Sequence, residues 1–207
     1  MKENELEIYY DHYKDTFQYL RKYIDQREKI FLFNIITIFL MIVISQNLAI
    51  ATTITEDVTA SKLGLKSMTI DPNLVSSVLL FVFLSLVIRY YQLNILINRQ
   101  YKYIHDIENN LSNILTETKI LRESKGYLSN YPIVLSIIHW IYSLIIPLVI
   151  ILTSIIKYVV ELEILKENQG SLYLILNTTF TILIVVLSTM YLIWLHFKDF
   201  TKQDVKS

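Results

Sequence analysis

Cysteine is absent from the 207 residues, and glycine, proline and alanine occur three times each. Without cysteine there are no disulfides, thiolate metal sites or cysteine nucleophiles. Glycine is missing from every long apolar stretch, which argues against small-xxx-small contacts as the main way helices pack. The sequence also has no HExxH, no glycine-rich phosphate loop, no GxSxG and no Asp or Glu inside the four apolar blocks described below. No enzymatic activity and no cofactor are expected. The net charge is zero, so nothing draws the chain generally toward nucleic acid, and no direct nucleic-acid binding is expected.

What the chain has in abundance is hydrophobic surface, 53% of its residues, gathered into long runs. About 20 helical residues cross the roughly 30 Å hydrocarbon layer, so an apolar run of that length predicts a membrane span. Four runs qualify: Ile30–Ile50, Pro72–Ile88, Ile133–Ile156 and Leu172–Leu195. A chain this short has too little other mass to bury four such helices in a soluble core. The expected fold is an all-α membrane protein with four transmembrane helices, spans 1 and 2 carrying helical cytoplasmic extensions. Residues 1–29 are too charged for a cleaved signal peptide, so none is expected there. External loops are predicted over 51–71 and 157–171, a cytoplasmic helical region over 89–132 and a cytoplasmic tail over 196–207.

Basic residues orient the spans, because Lys and Arg collect on the cytoplasmic side. Fifteen lie in the segment before span 1, the middle loop and the tail, and only Lys62, Lys66, Lys157 and Lys166 lie in the other two loops. Both termini are therefore expected in the cytoplasm. Asp71-Pro72 reads as an N-cap followed by proline in the first turn. Pro147 is the one proline inside a span; it lacks an N–H and its ring crowds the carbonyl of Ser143, so the third span should kink there.

The predicted cytoplasmic arms carry heptad seams. Leu6, Tyr10, Tyr13, Phe17, Leu20 and Ile24 alternate at spacings of four and three, and the first helix should run unbroken from about Glu5 to Ile50. The second arm repeats the pattern with Leu93, Ile97, Ile104, Ile107, Leu111, Ile114 and Leu121, interrupted at Gln100 and Thr118. Spans 1 and 2 run in opposite directions, so the two seams are expected to cover each other as antiparallel neighbours. Binding of either face to the membrane surface is the alternative.

The return to the membrane poses a length problem. An unbroken helix from Arg89 to Lys125 would be about 55 Å long. The seven residues Gly126–Pro132 span at most about 25 Å. Either the arm tilts steeply or it doubles back; "ENNLSN" (108–113), with three Asn and a Ser, is rich in turn formers and favours a hairpin near Asn109–Asn113.

Polar residues recur at helical spacing within the spans: Asn34 and Ser45; Ser77 and Ser85; Ser136, His139, Ser143 and Ser154; Asn177, Thr181 and Ser188. Positions eleven apart, such as 34/45 and 177/188, differ by about 20° around a helix. Two accounts stay open: hydrogen bonding between helices, or a wet pathway with His139 as its titratable member. "HDIE" (105–108) puts His105 and Glu108 on one helix face, which is at most half a metal site and reads as an exposed face. No metal site is expected. Arg89 beside Tyr90 and Tyr91 reads as an interfacial belt at the end of span 2, or as an intramembrane cation if the membrane reaches Ile97.

In layout, and around "RQYKYIHDIENNL" and "KGYLSNYP", the chain resembles the small multi-span membrane effectors of bacterial anti-phage systems, including accessory membrane proteins of RNA-targeting CRISPR loci. That resemblance implies a homo-oligomeric effector in the bacterial inner membrane. It would be channel-like or membrane-perturbing and controlled by a cytoplasmic protein partner through its helical arms. A non-conducting anchor that recruits such a partner is the alternative.

Overall fold

A computed structural model describes residues 2–46, 53, 71–114, 137, 140–167 and 171–203. All its regular structure there is helical. Helix α1 is Lys2–Gln46, α2 is Pro72–Ile114, α3 is Ile146–Glu167 and α4 is Ser171–Gln203. A single π-helical turn, Ile141–Ile145, leads directly into α3. Each helix contains a stretch long and apolar enough to cross a membrane.

Uninterrupted length follows from the scarcity of breakers. No proline or glycine occurs in α1, which at 45 residues is about 68 Å long. Helix α2 begins where the sequence predicts. The Asp71 Oδ1 accepts from the Asn73 amide at 2.9 Å, and the Asp71 carbonyl accepts from Leu74 and Val75. Pro72 occupies the first turn, where an N–H would have no intrahelical partner in any case. A kink is expected at Pro147; the nearest feature is the π turn, which ends two residues before the proline and includes Ser143, whose carbonyl the ring would crowd.

The expected hairpin at 109–113 is not there: α2 continues without interruption to Ile114. Ile107, Glu108 and Leu111 are buried on one face, while Asn109, Asn110 and Asn113 are exposed on the other. Turn-forming side chains on a solvated face lower helix propensity by only a few tenths of a kcal/mol each, and the buried stripe outweighs them. The return segment, including Leu121 and Gly126–Pro132, lies outside the described residues.

The chain divides into two compact units. The first contains α1 up to Phe31 and α2 from Arg89 onward. Its register is antiparallel, as the seams predict: Arg89 donates to the Gln26 side chain, Leu20 packs with Ile97 and Ile104, and the Tyr13 hydroxyl donates to Glu108. Tyr13, Phe17, Tyr23 and Ile24 close over that core, and the Arg21 guanidinium sits 4.5 Å above the Phe17 ring. Tyr10, assigned to the seam from its spacing, is instead 58% exposed. The buried line passes through Tyr13, Thr16 and Leu20, because 3.6 residues per turn rotates a straight helix away from a strict heptad. Leu6 is half-buried, and Leu93, Ile104, Ile107 and Leu111 are buried.

The second unit contains α1 from Leu32, α2 up to Ile88, the π turn, α3 and α4. Its interior includes Met41, Leu80, Phe83, Val87, Ile150 and Ile184, and the Phe81 and Phe180 rings meet at 5.6 Å. Its outer surface carries Leu32, Phe33, Ile36, Phe39, Leu152, Ile156, Ile182 and Met190, all exposed. So much exposed apolar side chain on helices of this length suits a hydrocarbon environment and would be a liability in water.

Candidate functional site

Helix α3 does not stop at Ile156, as predicted, but continues to Glu167. Lys157 and Glu161, expected in an external loop, are therefore helical, and the apolar stretch of this helix reaches Leu162. They lie one turn apart, 4% and 5% exposed, and form an ion pair. The predicted block ends at Ile156 and holds no acidic residue; the longer apolar stretch brings in Glu161. Lys157, Glu161 and Glu163 interrupt the run "IIKYVVELEIL", whose hydrophobic positions resume on both sides of each charge. That continuation, with the i,i+4 spacing, was the available signal; the drop in hydropathy at Lys157 hid it.

Two other helices complete the cluster. From α2, Ser76 hydrogen-bonds Glu161 Oε1 and accepts from Lys157 Nζ at 2.8 Å. From α4, Asn177 Nδ2 donates to Glu161 Oε2 at 3.0 Å. Each carboxylate oxygen thus has a donor, and the charge is balanced within one turn. A buried pair arranged this way can persist, whereas either partner alone would be strongly unfavourable. The amide oxygen of Asn177, a residue only 1% exposed, has no hydrogen-bond partner among the described residues, and neither has the Thr181 hydroxyl one turn further along α4. Tyr158 and Thr178 add a further α3–α4 hydrogen bond at 3.1 Å.

The predicted polar stripes point mostly inward. Asn34, Ser77, Ser143, Ser154, Asn177, Thr181 and Ser188 are all buried, Ser45 is half-buried, and Ser85 is exposed. Of these, the structure brings Asn177 to the charged cluster and places Ser45 with Lys157 in the wall of a cavity of about 120 Å3. His139 and Ser136 lie outside the described residues. Several hydroxyls donate to the carbonyl four residues earlier, among them Thr37, Ser45, Ser85, Thr153, Ser154, Thr178, Thr179 and Thr189.

A second buried carboxylate lies in the other unit. Glu108, read from the sequence as exposed, is 0% exposed and accepts from the Tyr13 hydroxyl at 3.3 Å. The seam itself could have shown this, since residue 108 is four after Ile104 and three before Leu111. His105, its supposed partner on a shared face, is only half-buried. Among the described residues no group of three metal-ligating side chains occurs. Arg89 is exposed, as a belt residue would be, but its neighbours Tyr90 and Tyr91 are buried with ring centroids 5.7 Å apart. Both rings pack within the protein.

No protein-family model, curated protein or solved structure matches the chain.

Proposed function

We propose that the chain is an oligomeric effector of the bacterial inner membrane, with both termini cytoplasmic. It would act on the bilayer by forming or perturbing a conducting path, under the control of a protein that engages the arms of α1 and α2. The observation that carries this reading is the charged cluster shared by α2, α3 and α4. Ionisable side chains in membrane helices are costly and rare, and they mark substrate and ion pathways. Both arm helices also contribute residues to the apolar unit, which gives a cytoplasmic input a direct connection to the spans. A role in anti-phage defence belongs to this proposal through the resemblance in layout.

The second reading, a non-conducting scaffold, is favoured by a specific observation of its own. Ser154, Asn177 and Ser188 face the interior of a single chain, where helix packing alone accounts for them. Purified protein in liposomes separates the two readings. An effector should oligomerise and release a trapped ion, with or without its cytoplasmic partner. A protein that oligomerises with the partner present yet never leaks is a scaffold.

A further inference from the structure

The cluster around Glu161 has the makings of an ion site already filled from within. Hard cations are held by oxygen atoms, from carboxylates, amide carbonyls and water or hydroxyl groups. Here the oxygens are the Glu161 carboxylate, the Ser76 hydroxyl and the amide oxygen of Asn177, drawn from three helices. The Lys157 ammonium is bonded to Ser76 Oγ and Glu161 Oε1, while Asn177 holds the other carboxylate oxygen, Oε2. The uncommitted amide oxygen is the second mark of a site. Asn177 is almost wholly buried, its nitrogen is fixed on Glu161, and its oxygen adds acceptor capacity that nothing in the described chain uses.

Lysine differs from a bound metal ion in being tethered and mobile on a four-carbon stem. Lys157 also has an alternative place to go, because it borders the cavity shared with Met41, Ser45 and Thr153. The Ser45 and Thr153 hydroxyls donate to the Met41 and Val149 carbonyls, so they can offer an incoming ammonium only lone pairs.

We propose that Glu161, Ser76 and Asn177 form a monovalent-cation site in which the Lys157 ammonium stands as a tethered occupant that free Na+ or K+ replaces when the lysine withdraws. This deepens the conducting reading above and names its selective element, yet it can be tested without any flux. The full chain in detergent is melted in NaCl, in KCl and in choline chloride at equal ionic strength. Wild type should melt alike in all three. Lys157→Met, and Lys157→Gln where the methionine variant folds poorly, should melt several degrees higher in Na+ or K+ than in choline, with the gain rising with the logarithm of concentration as a bound ligand requires. The added change Glu161→Gln should abolish the response.

Lysine variants that melt identically in all three salts would overturn the site, as would a response that survives Glu161→Gln. The same samples in liposomes separate this inference from the broader one. A cation-dependent melt without ion release keeps the site and removes the conducting role, whereas release without a cation-dependent melt does the reverse.

Discussion

Individual side chains decide the chemistry of this chain, and the two buried glutamates show how differently one residue type can be held. Glu161 is balanced by a cation one turn away and by donors on both oxygens. Replacing Asn177 with Leu removes the donor to Oε2 and leaves that oxygen buried with one partner fewer. The expected loss is about 1–3 kcal/mol, read from urea or thermal unfolding in detergent. Glu108 lies instead at a seam position where an apolar residue is the natural occupant, with Tyr13 donating to it. Tyr13→Phe should cost about 1 kcal/mol by leaving the carboxylate less well satisfied, whereas Tyr13→Phe with Glu108→Leu removes donor and acceptor together and should be nearer neutral. If the double change destabilises the fold strongly, the carboxylate has a structural role that this pair does not explain.

Among the elements, α2 tests the balance between propensity and burial. Asn109 and Asn110 are exposed on a continuous helix. Replacing both with Ala should raise stability by roughly 0.5–1 kcal/mol through helix propensity alone. Asn110→Pro should lower it by about 3 kcal/mol by removing a backbone hydrogen bond. A hairpin turn at this place would give the opposite signs, so paired melting curves decide between them. Sequence reasoning located all four helices and the α2 cap, because these depend on local composition and on capping chemistry. It misplaced the end of α3 because the drop in hydropathy at Lys157 hid a continuing run. It also read Glu108 as exposed against its seam position, and put Tyr10 on a strict heptad that a straight helix does not keep. A charge at Lys157 looks like a loop until Glu161, Ser76 and Asn177 are known to meet it.

For the whole molecule, the asymmetry of basic residues and the described helices support separate predictions. Reporter fusions at residues 60 and 168 should be exported, and fusions at either end should remain inside. Moving Lys157 into the helix leaves the rest of the asymmetry intact, and three basic residues still mark the outer segments against fifteen elsewhere. An exported C-terminus would contradict the four-span arrangement. Because the chain has no cysteine of its own, a Leu20→Cys/Ile104→Cys pair is a clean reporter of the antiparallel arms and should crosslink under mild oxidation.

The one-turn spacing of Lys157 and Glu161 also bears on how the chain is made. A nascent span is judged for membrane entry largely on its own, and a lone charge at its centre adds roughly 2.5–3.5 kcal/mol to the cost of insertion. That is an upper bound for Lys157 and Glu161, which lie toward the end of the stretch Ile141–Leu162. Here the two charges neutralise each other on the same helix as soon as it forms, before α4 has been synthesised and whether or not Ser76 is in reach. Helix α3 can thus enter the bilayer as an electrically balanced segment and find Asn177 afterwards, when the next helix arrives beside it. Polar capacity reaches the interior already paired, and the bilayer never has to accept a bare ion.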